Sequence, residues 1–323
     1  IYQSLFYTLD SNIIDVNVSE AQKSVIATGG GGGGGISNLV EDLSPELGGN
    51  LALNNFNITG TGDVNIGGII TATGEATIDG VNIGTGEGSG VGNTRVGDGA
   101  LNSVATGSDN TAFGFEALAS ETTGSNNTAV GTDAMQDTTG AGENTAVGRS
   151  ALARVTGDRN VAVGRSALVF ATSARENVAV GAYSSHQTTT GRENVSVGAY
   201  SLQDLTTGQS NVAVGYNALN EETIGDHNVA IGHSALQYAS SASANIAIGK
   251  NAMKGSVSAP VTDSYNTAVG YSALSTATSA RGNSVFGYNA GDAITTGEYN
   301  IVVGLQADAS TPTVNNEITL GQN

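Results

Sequence analysis

The chain has 323 residues, 47 of them Gly, with no Cys, no Trp, 12% charged residues, 5% aromatic residues and a formal net charge of −18. That balance excludes phosphate-backbone recognition of nucleic acid, which needs a basic surface, as well as disulfide stapling and a conventional core built on Leu and Phe. Val and Ile are too plentiful for a disordered chain, and no apolar run is long enough to insert in a membrane.

In chain order, residues 1–28 contain an expected strand at Ile13–Val18 and an aromatic group, Tyr2, Phe6 and Tyr7. Those three rings read either as an anchoring patch or as the core of a small module. A chain that begins at Ile1 is expected to lack an N-terminal piece. Residues 29–35 are seven consecutive glycines. A phosphate loop would need Lys-Ser or Lys-Thr directly after such a run, and none follows, so the stretch reads as a flexible linker. Residues 36–92 read as a short β-rich module, with apolar strands at Ile58, Val64–Ile66, Ile69–Ile70, Ile78 and Val81–Ile83 between Gly turns.

Residues 93–304 repeat. Asn-x-x-x-Gly occurs thirteen times, from Asn93 to Asn300, at a step of 17 residues, with one step of 16 and one of 21. Such a period marks a solenoid. The longer step holds "KGSVSAPVTDSY", which reads as a bulged turn. Residues 305–323 read as a last rung, "NEITLG", with a cap.

After each Asn comes a small or β-branched residue, then usually Ala, then Val, Ile or Phe, as in Asn177-Val178-Ala179-Val180. Alternation at period two predicts a strand. Both of its sides are apolar, so both are expected to be covered. The aliphatic side is assigned to the coil's own core, and the alanine side to a close-packed neighbouring chain. The Gly that follows is expected to supply a backbone angle other residues resist. A second short strand is expected at the x-x-Ala-Leu segment (Ala151–Leu152, Ala235–Leu236), and Thr-Gly turns return the chain. Stacked coils advance about 4.8 Å each, which makes a rod on the order of 60 Å. Stacking should join the asparagines into a ladder and set Asp158 beside Arg175 and Arg159 beside Glu176.

Residues of catalytic type are few. His186, His227 and His233 are the only histidines, and no metal site or cofactor is expected from their spacing. Glu221, Glu222 and Asp226 share one turn and are the nearest candidates for a glycosidase carboxylate pair, with a solvated acidic turn as the plainer reading. The residue after the strand-ending Gly is Tyr216, His233, Lys250, Tyr271 and Tyr288 in five consecutive coils. That column suits contact with a host-surface glycan or protein, or simply reflects the ease with which Tyr fits stacked β structure. Tyr183 and Tyr200 form a shorter pair one position on.

The Asn-x-Ala-Val-Gly-x-x-Ala-Leu pattern, from about Asn93 to Gly304, resembles the head repeat of YadA-like trimeric autotransporter adhesins. That resemblance implies a left-handed parallel β-roll in an intertwined or closely packed homotrimer. The 17-residue step is longer than the repeat usual in bacterial adhesins, and no stalk coiled coil or membrane anchor accompanies it. "ISNLVEDLSPELGGNLALNNFNITGTGDVNI" (36–66) is similar to a module of tail-fibre and related structural proteins of marine, cyanophage-like phages. "NNEITLGQN" (315–323) resembles the junction that precedes a self-cleaving chaperone in such proteins. Together the flanks imply a non-enzymatic fibre or appendage of a phage virion, bound to other virion proteins through its N-terminal segment and supporting host attachment. A bacterial adhesin and a polysaccharide-degrading tailspike are the alternatives.

Overall fold

The computed structural model describes residues 76–78, 81–84 and 90–321, apart from 104, 105 and 122. Tyr2, Phe6, Tyr7, the strand expected at Ile13–Val18, the glycine run and the strands expected from Ile58 to Ile70 lie outside the described residues. The described part is all β, with no helix, and its strands form one 16-stranded sheet in sequence order. It opens with β1 (Ala76–Ile78) and β2 (Val81–Gly84), an antiparallel pair, and β2 pairs antiparallel with β3 (Thr94–Val96). Every later pairing is parallel, through β15 (Ile301–Val303) to β16 (Ile318–Leu320). The register matches Asn to Asn: Val178, Ala179 and Val180 lie against Val195, Ser196 and Val197. The result is a β-solenoid of 17-residue coils, each giving three residues to the sheet and the rest to turns. No described strand lies beyond β16, whose Ile318 and Leu320 are exposed.

The alanine side faces the opposite way from the sequence expectation. The central residue of each strand points into the coil's own core: Ala129, Ala146, Ala179, Ala213 and Ala247 are wholly buried. The flanking residues, such as Val178 and Val180, point outward and are only half-buried. The reason is the wall opposite, where Leu118, Leu152, Leu168, Leu219 and Leu236 fill the interior completely and leave room for a methyl. One coil swaps the two sizes. Its strand carries Val285, its opposite wall carries Gly291, and a methyl added at Gly291 would sit 3.1 Å from the Val285 side chain.

The x-x-Ala-Leu segment is a turn, not a second strand. Two residues in it adopt left-handed angles, as at Ser150 (φ 55°) and Leu152 (φ 51°). A left-handed residue reverses the next peptide, so alternate amides point up and down the axis. Ser150 N donates to Thr132 O of the preceding coil (2.9 Å), and Leu152 N donates to Ala167 O of the following one (3.0 Å). The segment thus bonds to both neighbours as a strand does while the chain turns a corner. Each such angle costs a non-glycine residue about 1–2 kcal/mol, and the axial bonds on either side hold it there.

Two columns fix the stacking. Asn211 N donates to Asn194 Oδ1 of the coil before it (2.9 Å), and Asn211 Nδ2 donates to Gly225 O (2.8 Å) across the turn. The same pair of bonds recurs up the roll, at Asn110, Asn177 and Asn283. The strand-ending glycines form the other column. Gly181 has φ 136°, and a Cβ there would lie 2.5 Å from Gly198 O. On the turn side the hydroxyls of Thr189, Thr206 and Thr223 each donate to a carbonyl of the next coil, and Arg159 lies 3.1 Å from Glu176 as the register requires. Asp158 Oδ1 instead accepts Gly142 N (2.8 Å) and, among the described residues, makes no ion pair with Arg175.

The insertion behaves as a bulge. Ser256 and Ala259 exchange backbone hydrogen bonds (3.1 Å each), and Val261 returns to the core beside Ala239. The apolar core itself falls into two blocks, Ala100–Ala179 and Leu202–Ala309. Between them lie four buried serines. Ser196 Oγ is 2.6 Å from Ser184 Oγ and 2.7 Å from Ser185 Oγ, and Ser184 Oγ is 3.1 Å from Ser201 Oγ.

Candidate functional site

Two surfaces follow from this cross-section. The first is the outer side of the sheet. Its two columns run Thr111, Thr128, Thr145, Val161, Val178 and Val195 on one side and Phe113, Val130, Val147, Val163, Val180 and Val197 on the other. Both continue to the last strand in the same manner, and neither column holds a charged residue in any of the strands from β3 to β16. Three residues across and thirteen coil steps long, this strip covers about 600 Å². Six positions of the first column carry hydroxyls, Thr94, Thr111, Thr128, Thr145, Thr267 and Ser284, and the rest are aliphatic or Phe. The strip is thus comparable in extent to the largest apolar patch of an ordinary monomer, about 300–600 Å². Ile231, Ile246 and Val303 show 38%, 38% and 39% of their surface, because within one chain each is covered only by its neighbours above and below.

The second surface is the edge where each strand passes its Gly and turns. Here the structure brings most of the sequence-predicted column together. Tyr216 and His233 stack at 5.2 Å, Lys250 Nζ lies 5.8 Å from the Tyr271 ring centre, and Tyr271 stacks on Tyr288 at 5.2 Å with 13° between planes. No ring or cation–π contact joins His233 to Lys250 among the described residues, so the column is two runs of ring contacts rather than one. The Tyr183–Tyr200 pair is stacked at 5.5 Å and reaches Tyr216 edge-on at 5.8 Å.

Sequence reasoning missed the start of this ridge. Arg165, which follows its Gly as Tyr216 does, lies 5.3 Å over the Tyr183 ring. His186 is no bare turn residue. It packs edge-on against Phe170 (5.2 Å) and Tyr183 (5.4 Å), with Nδ1 3.0 Å from Ser166 O, and Arg154 covers the far side of Phe170 at 5.5 Å. Counting positions after each Gly would have found these pairs. Residues at the same or adjacent offsets in consecutive coils are necessarily about 5 Å apart.

The carboxylates of one turn do not form a working pair. Glu222 is buried, and its Oε1 accepts the amides of Thr223 (3.0 Å), Ile224 (3.2 Å) and Gly225 (2.8 Å). Burial pushes its pKa up to about 7, against the pull of those amides. It plugs its own turn. Glu221 faces Asp204 of the preceding coil, and burial raises the pKa of both, with Asp204 adding to the rise at Glu221. Asp226 Oδ1 accepts Gln209 N at 2.8 Å. His227 and His233 are both exposed, and among the described residues no group of three or more His, Asp or Glu is placed to hold a metal ion.

Comparison of the chain with known protein families, with characterised proteins and with solved structures finds no match. Function must therefore be argued from these two surfaces.

Proposed function

We propose that the protein is a structural, non-enzymatic subunit of a phage fibre or appendage, assembled as a homotrimer, that projects from the particle and supports host attachment. The observation that carries this reading is the uncharged, mostly apolar strip on the outside of the sheet. At about 25 cal/mol per Å² of apolar surface, leaving the exposed apolar part of this strip in water forfeits on the order of 10 kcal/mol at most. A second copy of the same strip is the partner that matches its length, straightness and periodicity without further specification. A long isologous or cyclic contact of this kind keeps every coil in register with its counterpart. The count of three comes from the resemblance of the repeat to trimeric adhesin heads, and the phage setting from the flanking segments. The role is mechanical. Axial hydrogen bonds stiffen each chain, and a shared apolar seam stiffens the bundle.

Light scattering on the full-length chain tests it. A mass of three chains is expected, falling to one chain in a Val180→Asp/Val214→Asp variant, because four carboxylate oxygens per chain would then enter the seam. A wild-type monomer would overturn the assembly, and a mass of two chains would overturn the count.

A further inference from the structure

We infer that the edge ridge is a binding surface for a linear polyanionic glycan. The inference rests on the rod reading, in which the aliphatic strip is sealed and this edge faces outward.

Charge is the first argument. Over ten coils, from Arg149 to Gln306, the two positions after the strand-ending Gly hold no Asp or Glu, in a chain with 29 of them. They hold Arg149, Arg165, His233 and Lys250, all exposed. Neither Arg165 nor Lys250 has a carboxylate partner among the described residues. Each instead lies over a tyrosine ring.

Ring geometry is the second argument, and it selects the ligand class. A neutral sugar commonly docks by laying its C–H face on an aromatic face. Here those faces are already taken. Tyr183 and Tyr200 are parallel to within 7°, and Tyr271 and Tyr288 to within 13°, so each ring is covered by the next along the axis. What the ridge presents outward is ring edges, which carry the positive part of the aromatic quadrupole, together with phenol hydroxyls, guanidinium and ammonium groups. All of these are complementary to anionic oxygen. Their linear spacing along the coils suits a repeating chain better than a compact ligand, since one contact can be renewed every few coils. In the coils of Tyr200 and Tyr216 the nearest following acids, Asp204 and Glu221, lie four and five positions further round the coil, and the acids nearer to the ridge by register, Asp133, Asp292 and Asp308, stand at or near its two ends.

Biolayer interferometry of the full-length protein on immobilised heparin and on neutral dextran provides the test, in about 0.1 M salt, where charges more than about 10 Å apart are screened. Binding to heparin and not to dextran is expected, and it should weaken steeply as salt is raised. An Arg165→Gln/Lys250→Gln variant should bind about three- to tenfold more weakly, the sum of two exposed ion contacts. Arg175→Gln/Arg192→Gln, an equal loss of charge on another edge, should bind like wild type. Absence of heparin binding, equal binding to dextran, or equal weakening by both variants would overturn the inference. Light scattering on the same samples separates the two readings. A trimer that ignores heparin overturns the ridge alone, and a monomer that binds it overturns the rod alone.

Discussion

The strand side and the turn side of each coil obey different rules. On the strand side the same residue returns at the same place, Asn before the strand and Gly after it, through all thirteen repeats. On the turn side one buried position takes Val155, Ala171, Thr188, Leu205 and Glu222 in five successive coils. The asparagines and this turn position are both buried, and the glycines are only partly so, so burial does not explain the difference. What differs is the atom each residue meets. Gly181 faces a backbone carbonyl of the next coil, which cannot move without breaking the sheet. The variable position fills its own turn, as Glu222 does against the amides of Thr223, Ile224 and Gly225, and side chains of different size and polarity can do that.

The sharpest way to break that contrast is one substitution placed on each side. Gly181→Ala puts a Cβ 2.5 Å from Gly198 O at φ 136°. We expect a loss of about 5 kcal/mol or more, the range of substitutions that leave no room to relax, seen as little folded protein or a collapsed thermal midpoint in circular dichroism. Gly142→Ala, in a turn, brings its Cβ only to 3.2 Å from Ser125 O at an ordinary φ. It should cost within about 1 kcal/mol. Asn211→Ala comes next. It leaves Gly225 O and Asn228 N buried without their partners, at about 1–3 kcal/mol for each. Guanidinium unfolding should register a loss of about 4 kcal/mol, and a loss under 1 would mean that water replaces the side chain.

The strand side was the legible one. Period, strand, asparagine ladder and glycine angle all follow from residues that recur at fixed spacing, and Arg159 meets Glu176 as counted. Its orientation was not legible, because alternation separates two faces without saying which is inside when both are apolar. The compensating pair Val285 and Gly291 was the available signal, since one side grows in the coil where the other shrinks. The left-handed turn was hidden for a different reason. Ser, Leu, Tyr and Asn all take that conformation here, so no residue type announces it. Of the ridge, the column could be read from the register, but the stacking of its rings face to face could not.

Glu222 tests how far the turn side tolerates variation. Its pKa in the folded protein is pushed up to about 7 from the ordinary 4.5. Below pH 4.5 the group is protonated whether the chain is folded or not, and it imposes no penalty. Between pH 4.5 and 7 the unfolded chain ionises first, so stability falls as pH rises, and by pH 8 the loss reaches about 3 kcal/mol. Thermal midpoints at pH 5 and pH 8 should therefore differ more in wild type than in Glu222→Gln, which keeps an oxygen for the three turn amides but does not titrate. Equal differences in the two proteins would assign the pH response to the remaining 28 acidic residues.

The serine layer is where the strand side itself departs from its rule. Ser196 stands where other strands carry Ala, and Ser184, Ser185 and Ser201 stand where other coils carry Ala or Leu. Each hydroxyl satisfies another, so the layer holds together only as a set. Removing one member and removing all of them should then have opposite consequences. Ser196→Ala alone strands the Ser185 hydroxyl, which lies 2.7 Å from it, and leaves Ser184 its weaker bonds to Ser196 O and Ser201 Oγ, and should cost about 1–2 kcal/mol. Replacing all four serines by Ala removes every hydroxyl at nearly constant shape. It should be neutral or stabilising by about 1 kcal/mol, because no buried polar atom is left without a partner. If the fourfold variant is instead the less stable, the serines contribute through their bonds to backbone carbonyls, such as Ser201 Oγ to Gly198 O at 2.9 Å. The two core blocks would then be joined by that layer rather than divided by it.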